Sequence, residues 1–245
     1  MIVESTFKPA WWLSSPHAQT IYSSMYHPFK PSIDATEKIE LPDGDFLDLA
    51  WSRAQLPADA PVVIILHGLG GGLGSSYVAR FMHEFNQQGW RAVLMHFRGA
   101  GAERNRLPRA YHSGDTGDLD FFVKELNKRE PHTKKAIAGV SLGGNILLKW
   151  LGEESISSID AAVAVSVPFV LKQVADRVNV GFSRIYQRHL LNTLKAFFAD
   201  RSANFENPPE AFKRAAHCTC FWTFDQEVTA PLYGFSSAHA YYRRC

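Results

Sequence analysis

Apolar positions change rhythm several times along the chain, and each rhythm predicts an element. The first stretch, to residue 35, is rich in Trp, Tyr, Pro and Ser without a steady period, and reads as an irregular arm packed on a domain. Strand-like runs at 37–41 and 46–51 flank Pro42-Asp43-Gly44-Asp45, which predicts an antiparallel hairpin. Val62–Leu66 is a continuous, largely β-branched run, as expected of a strand covered on both faces, and 91–95, 135–139 and 161–167 look alike. Helical patterns at 77–88 and 119–128 lie between them. Strands alternating with helices imply right-handed crossovers and a mostly parallel sheet with helices on both faces. After Pro168 the alternation stops, and helical patterns, notably at 184–198, join an aromatic cluster at Phe221-Trp222-Thr223-Phe224. This part reads as a helical cap over a substrate pocket. The expected organisation is an arm over 1–35, an α/β core over 36–168 and a cap over 169–245.

Composition narrows the function classes. The 245 residues suffice for one buried core. A formal net charge of +2 gives no reason to propose nucleic acid or an anionic membrane as partner. The densest basic stretch, Arg104, Arg106 and Arg109, lacks aromatic interleaving and reads as a solvated loop. The start has neither a basic nor an apolar signal region, and no window approaches the length of a membrane span. Three cysteines fit a reducing compartment, and Cys218-Thr219-Cys220 beside His217 lacks the second ligand pair that tetrahedral zinc requires. The expectation is a cytoplasmic, metal-free chain with no integral membrane segment.

Chemistry enters at Gly139-Val140-Ser141-Leu142-Gly143, which fits G-x-S-x-G. Chance produces that pattern in roughly one chain in ten of this length, so context decides. A β-rich run precedes it and an amphipathic helix follows, the strand–turn–helix setting of a nucleophile elbow. Glycines two residues either side of the serine relieve crowding in the sharp turn, and the helix start aims N–H groups at the site. His67-Gly68-Leu69-Gly70-Gly71-Gly72 directly follows the 62–66 strand, where an HG-type loop supplies one donor of an oxyanion hole. The two donors are assigned to the N–H groups of Leu69 and Leu142, each worth about 3 kcal/mol of barrier. Neither a dinucleotide fingerprint nor a P-loop can be completed from these glycines. His67 reads as structural, having no obvious partner acid.

The strings HGLGGGLGSSYVARF, HFRGAGAERNRLPRAYHSGDTGDL, GVSLGGNILLKWLGE and TFDQEVTAPLYGFSSAHAYYRRC resemble the YheT-like family of α/β-hydrolase esterases. The resemblance implies the α/β-hydrolase fold with a Ser–Asp–His triad. It further implies small carboxylic esters of short or medium acyl chain as substrates, and a cytoplasmic enzyme without cofactor. Of the family's functional residues, Ser141 and the two oxyanion positions carry over to this sequence.

The acid and histidine of such a triad follow the serine, after further strands that this sequence does not contain. Two missing βα units would need about 60 residues, at about 30 each. The chain therefore reads as C-terminally truncated, lacking the last strands and leaving an uncovered apolar sheet edge. Asp225 and His239 stand in the right order, and 218–224 could pass for a strand, but about 14 residues between them leave no room for a helix and a returning strand. His96 and His112 precede the nucleophile, and His112, His132, His189 and His217 read as surface or packing residues. Asp115, Asp118 and Asp120 read as capping and acidifying a helix start. A serine without its base is a poor nucleophile, so the alternative is a non-catalytic hydrolase-fold remnant; acyl transfer to alcohols is a variant of the esterase reading.

Overall fold

The computed structural model describes residues 2–25, 29–53, 55–153 and 159–245. Six strands form one sheet: β1 (Ala35–Glu40), β2 (Phe46–Ser52), β3 (Val62–Leu66), β4 (Arg91–Met95), β5 (Lys135–Val140) and β6 (Ala161–Val165). Their spatial order is β1-β2-β4-β3-β5-β6. The hairpin β1–β2 and the β2–β4 pair are antiparallel, whereas β4, β3, β5 and β6 run parallel. This is the α/β-hydrolase fold, with β5, the strand that leads into Ser141, next to the central β3.

The two faces follow from the period of two along each strand. Val62, Ile64 and Leu66 of β3 pack with Leu119, Phe122, Val123, Ile146 and Trp150 of α3 (Gly117–Arg129) and α4 (Leu142–Glu153). Ile65 points the other way, joining Ala92 and Leu94 of β4 against Val78 and Met82 of α2 (Ser76–Gln87). All five residues of β3 and of β4 are buried. Strand β6 departs from the expectation of cover on both faces. It pairs with a neighbour only through β5, and Val163 and Val165 are 52% and 37% exposed.

The N-terminal segment is less irregular than its composition suggests. Trp11–Leu13 makes a 3-10 turn and Pro16–Met25 forms helix α1, whose described residues include no buried side chain. Residues 1 and 26–28, which the arm reading also covers, lie outside the described residues. Beyond β6 the chain is helical: α5 (Leu171–Val178), α6 (Arg184–Ala203), α7 (Glu210–Ala215), α8 (Phe221–Phe224), a π-helix (Asp225–Thr229), α9 (Ala230–Leu232) and α10 (Ala238–Arg244). The second half of the possible strand at 218–224 is instead helix α8, and 218–220 is irregular, because Phe224 packs into an apolar cluster with Leu191, Leu194, Phe198 and Phe212 rather than onto the sheet edge.

One buried ionic knot ties the hairpin to the loop after β4. Arg98, 2% exposed at its side chain, donates to both carboxylate oxygens of Asp118 at 2.7 Å and to Asp43 at 2.6 Å, and lies 3.4 Å from Asp45. Asp45 also accepts from Asn105 Nδ2 and the Arg106 N–H. Asp118 and Asp120 do lie in the first turn of α3, but Asp118 is the partner of Arg98. Arg104 and Arg106 are exposed, paired with Asp200 and Glu40. Arg98→Ala strands buried carboxylates without their cation and is expected to cost about 3–5 kcal/mol, read as a lower denaturant midpoint. A loss under about 1 kcal/mol would show the knot to behave as a surface pair.

Candidate active site

Strand β5 ends in Val140, and the chain turns sharply into α4 at Ser141. Ser141 sits at φ 54°, in the left-handed region that costs a non-glycine residue strain. Its N–H donates to Val165 O at 2.8 Å and its carbonyl accepts from Asn145 N at 3.0 Å, so strand β6 and the first turn of α4 hold the strained residue from both sides. Close backbone packing explains the flanking glycines. A Cβ on Gly139 would lie 2.6 Å from Gly143 O, and one on Gly143 would lie 2.5 Å from Leu66 O and 2.6 Å from His67 O. The missing side chains let α4 begin directly against the end of β3.

That contact brings the HG loop to the serine. A Cβ on Gly68 would stand 3.4 Å from Ser141 Cβ. The loop is pinned by four polar contacts: Gly68 N–H to Tyr77 OH at 2.8 Å, Gly70 N–H to Tyr111 OH at 3.0 Å, Gly71 N–H to Gly68 O at 3.0 Å and Gly72 N–H to Ser75 Oγ at 3.2 Å. His67 fixes its base. Burial pulls its pKa down to about 4, so the ring is neutral at pH 7. Its Nε2 accepts from Phe97 N at 3.1 Å, so the proton is on Nδ1, which donates to Gly68 O at 2.8 Å. The N–H groups of Leu69 and Leu142 donate to no acceptor among the described residues, and both residues line the same cleft as Ser141. Leu142 opens α4, where first-turn N–H groups have no intrahelical acceptor.

The cleft has a volume of about 600 Å³. One wall is apolar, with Val174, Leu190, Leu194, Phe197 and Phe224, and the other carries His112, Tyr233, Tyr241, Tyr242 and Asp225. Asp225, in the π-helix, is buried, and desolvation raises its pKa to about 6. Its oxygens accept from Thr229 Oγ1 at 2.7 Å and Tyr242 OH at 2.6 Å. His239 is exposed on α10 with its ring 4.9 Å from that of Trp222. The structure therefore brings Ser141, Leu69, Leu142 and Asp225 to one cleft and leaves His239 outside its lining. His112 lines the cleft, but Nδ1 accepts from Gly114 N at 3.1 Å and burial lowers its pKa to about 4. Its neutral ring then carries the proton on Nε2 and has no free acceptor nitrogen. His96 Nδ1 donates to the backbone carbonyl of Asp48 at 3.0 Å, a tie at the end of the strand.

Sequence reasoning missed the loop-pinning hydroxyls of Tyr77 and Tyr111. The only available signal was their position, one opening a helix after the glycine loop and the other beside His112. Gly143→Ala is expected to lower stability and slow covalent labelling of Ser141 together, because the new methyl meets backbone rather than a movable side chain. Asp225, protonated in the fold at a pH where the unfolded chain has already ionised it, binds extra protons on folding between about pH 4 and 6. It thus adds stability as the pH falls through about 6. Asp225→Asn is expected to lose that gain, leaving the variant about 2 kcal/mol worse relative to wild type at pH 4 than at pH 7 in denaturant titrations. An unchanged difference would mean Asp225 keeps an ordinary carboxylate pKa.

Comparison with known proteins bears on the family. A family model described as "Serine aminopeptidase, S33" matches residues 57–216. The Escherichia coli (strain K12) protein named "Putative esterase YheT" is 39% identical over 244 residues, covering 98% of this chain and 71% of the relative. "Monoacylglycerol lipase" of Saccharomyces cerevisiae is 33% identical over 75% of this chain and 42% of its own length. "Phospholipase ABHD3" of Homo sapiens is 24% identical over 98% of this chain and 61% of its own. The chain spans only part of the length of each. With the model matched across most of the sheet and its elbow, the chain belongs to this serine-hydrolase family of α/β-hydrolases, in its YheT-like branch.

Proposed function

We propose that the chain carries the nucleophile and oxyanion hole of a carboxylic ester hydrolase. The observation that carries this reading is the left-handed Ser141, held at the end of β5 and facing an apolar-walled cleft. In the proposed reaction Ser141 Oγ bonds to the ester carbonyl carbon and loses its proton to a base. The carbonyl oxygen becomes an oxyanion held by the N–H groups of Leu69 and Leu142, and the alcohol departs with a proton. Water then hydrolyses the acyl-enzyme; an alcohol in its place gives acyl transfer. Short or medium acyl chains suit a cleft of about 600 Å³, and the names of relatives, an esterase and two lipid hydrolases, support ester chemistry. We read residues 1–35 as an arm, 36–168 as the core and 169–245 as a cap shaping the cleft. Among the described residues no helix is long and apolar enough to cross a membrane. Free cysteines at 218, 220 and 245 fit a cytoplasmic setting.

A second reading, binding without turnover, is favoured by one feature. Asp225 is engaged by Thr229 and Tyr242 while His239 faces solvent beside Trp222, so neither serves Ser141 in this arrangement. Fluorophosphonate labelling with a short-chain p-nitrophenyl ester assay separates the readings. Labelling abolished by Ser141→Ala, with turnover, supports the hydrolase. Labelling without turnover supports the binding reading, since losing triad members costs roughly 10⁴- to 10⁶-fold. A folded chain with neither label nor turnover also supports the binding reading, because a serine without its base is a poor nucleophile, whereas turnover that survives Ser141→Ala would sink the assignment of the nucleophile.

A further inference from the structure

The face around the N-terminal segment carries several large, exposed apolar side chains. Trp11 is 90% exposed and Met25 76%, with Trp12, Ile21 and Tyr22 also exposed around α1. Across from them, Val174, Val180, Phe182 and Ile185 of α5, the turn after it and α6 are exposed as well. Contacts of His17 join the two segments. His17 Nδ1 lies 2.9 Å from Tyr186 OH, and its ring is 4.5 Å from that of Phe182. Patches of this kind mark interaction sites, and Trp and Tyr at their rims suit a boundary between water and an apolar phase.

Charge identifies the partner. Over the whole chain 26 basic residues nearly balance 24 acidic ones. Between Phe169 and His189, however, Lys172, Arg177, Arg184 and Arg188 face a single acid, Asp176. Arg184 and Arg188 are exposed and lie one helical turn apart on either side of Ile185. Apolar anchors flanked by basic residues match a surface that is apolar below and anionic above. The near-neutral net charge hides this local excess.

We propose that this face docks on the surface of an anionic lipid bilayer, with Trp11, Trp12, Met25 and Ile185 entering the headgroup boundary and Arg184 and Arg188 on the lipid headgroups. The cleft opens beside it. Ser24 of α1 and Leu171, Val174 and Val178 of α5 line the Ser141 cleft, while Val174 is also part of the exposed face. A docked chain presents its cleft at the membrane surface, where apolar ligands are concentrated. The proposal does not depend on ester hydrolysis.

The test is co-sedimentation of the full chain with vesicles of phosphatidylcholine alone and of phosphatidylcholine mixed with phosphatidylserine. Partition into the mixed vesicles is expected to be about tenfold or more stronger, and to weaken as salt is raised. Arg184→Glu with Arg188→Glu removes that preference, and Trp11→Ala with Trp12→Ala lowers binding to both vesicles. Quenching of tryptophan fluorescence by bromine-labelled lipid, present in the wild type and much reduced in the Trp11/Trp12 variant, reports insertion directly. No sedimentation with either vesicle overturns the proposal, as does equal partition into both. A concentration-dependent dimer in solution that the Trp11/Trp12 variant abolishes also overturns it, by assigning the face to a second copy.

Discussion

The absence of a Cβ at Gly143 lets a helix begin where a strand ends. With hydrogen there, the first turn of α4 lies on the carbonyls of Leu66 and His67, and the end of β3 becomes the floor under the serine. Everything at the site is measured from that contact. It forces the turn at Ser141 into left-handed geometry, brings Gly68 beside the serine and leaves the first N–H of α4 open to the cleft. Steric exclusion at one backbone position thus sets the relation between Ser141 and the N–H groups of Leu69 and Leu142, before any side-chain chemistry acts.

Polar burial then makes that relation rigid. A neutral imidazole at His67 uses both nitrogens on backbone groups, one on the loop that follows it and one on Phe97 after β4. Two phenol hydroxyls and a serine accept the N–H groups of Gly68, Gly70 and Gly72. Since each unsatisfied buried polar group costs about 1–3 kcal/mol, alternative loop conformations that break these bonds are disfavoured. Arg98 does equivalent work behind the site by joining Asp43 and Asp45 of the hairpin to Asp118 of α3.

What the sequence made legible follows from the kind of constraint. Strands β3 and β4 begin and end close to where their apolar runs do, because both faces are covered, and the one charged residue in them, Arg91, is buried but paired with Glu130. The placement of Ser141, Leu69 and Leu142 at one cleft is legible because a tight turn and a close backbone approach demand glycine at fixed offsets. Strand β6 has the same kind of composition but an open environment, which composition does not encode. The residues at 218–224 are as compatible with strand as with helix, and the apolar cluster around Phe198 decides for helix. Nor does the order Asp225, then His239, indicate direction. Asp225 turns into the cleft wall toward Tyr242, whereas His239, on the exposed side of α10, turns to Trp222. A π-helix leaves no residue signature at all, so the insertion that sets Asp225 in that wall was invisible.

The bond from Ser141 N–H to Val165 O has a kinetic meaning. Strand β6 is the least buried strand of the sheet, so it belongs to the part of the fold that opens most readily, without global unfolding. Ser141 is tethered to that weak unit through its amide, while its carbonyl belongs to the protected helix α4. Solvent hydrogen exchange at the Ser141 amide therefore follows the breathing of the sheet margin rather than that of the core. The lifetime of the left-handed turn is coupled to fluctuations at the opposite end of the strand register from the hairpin.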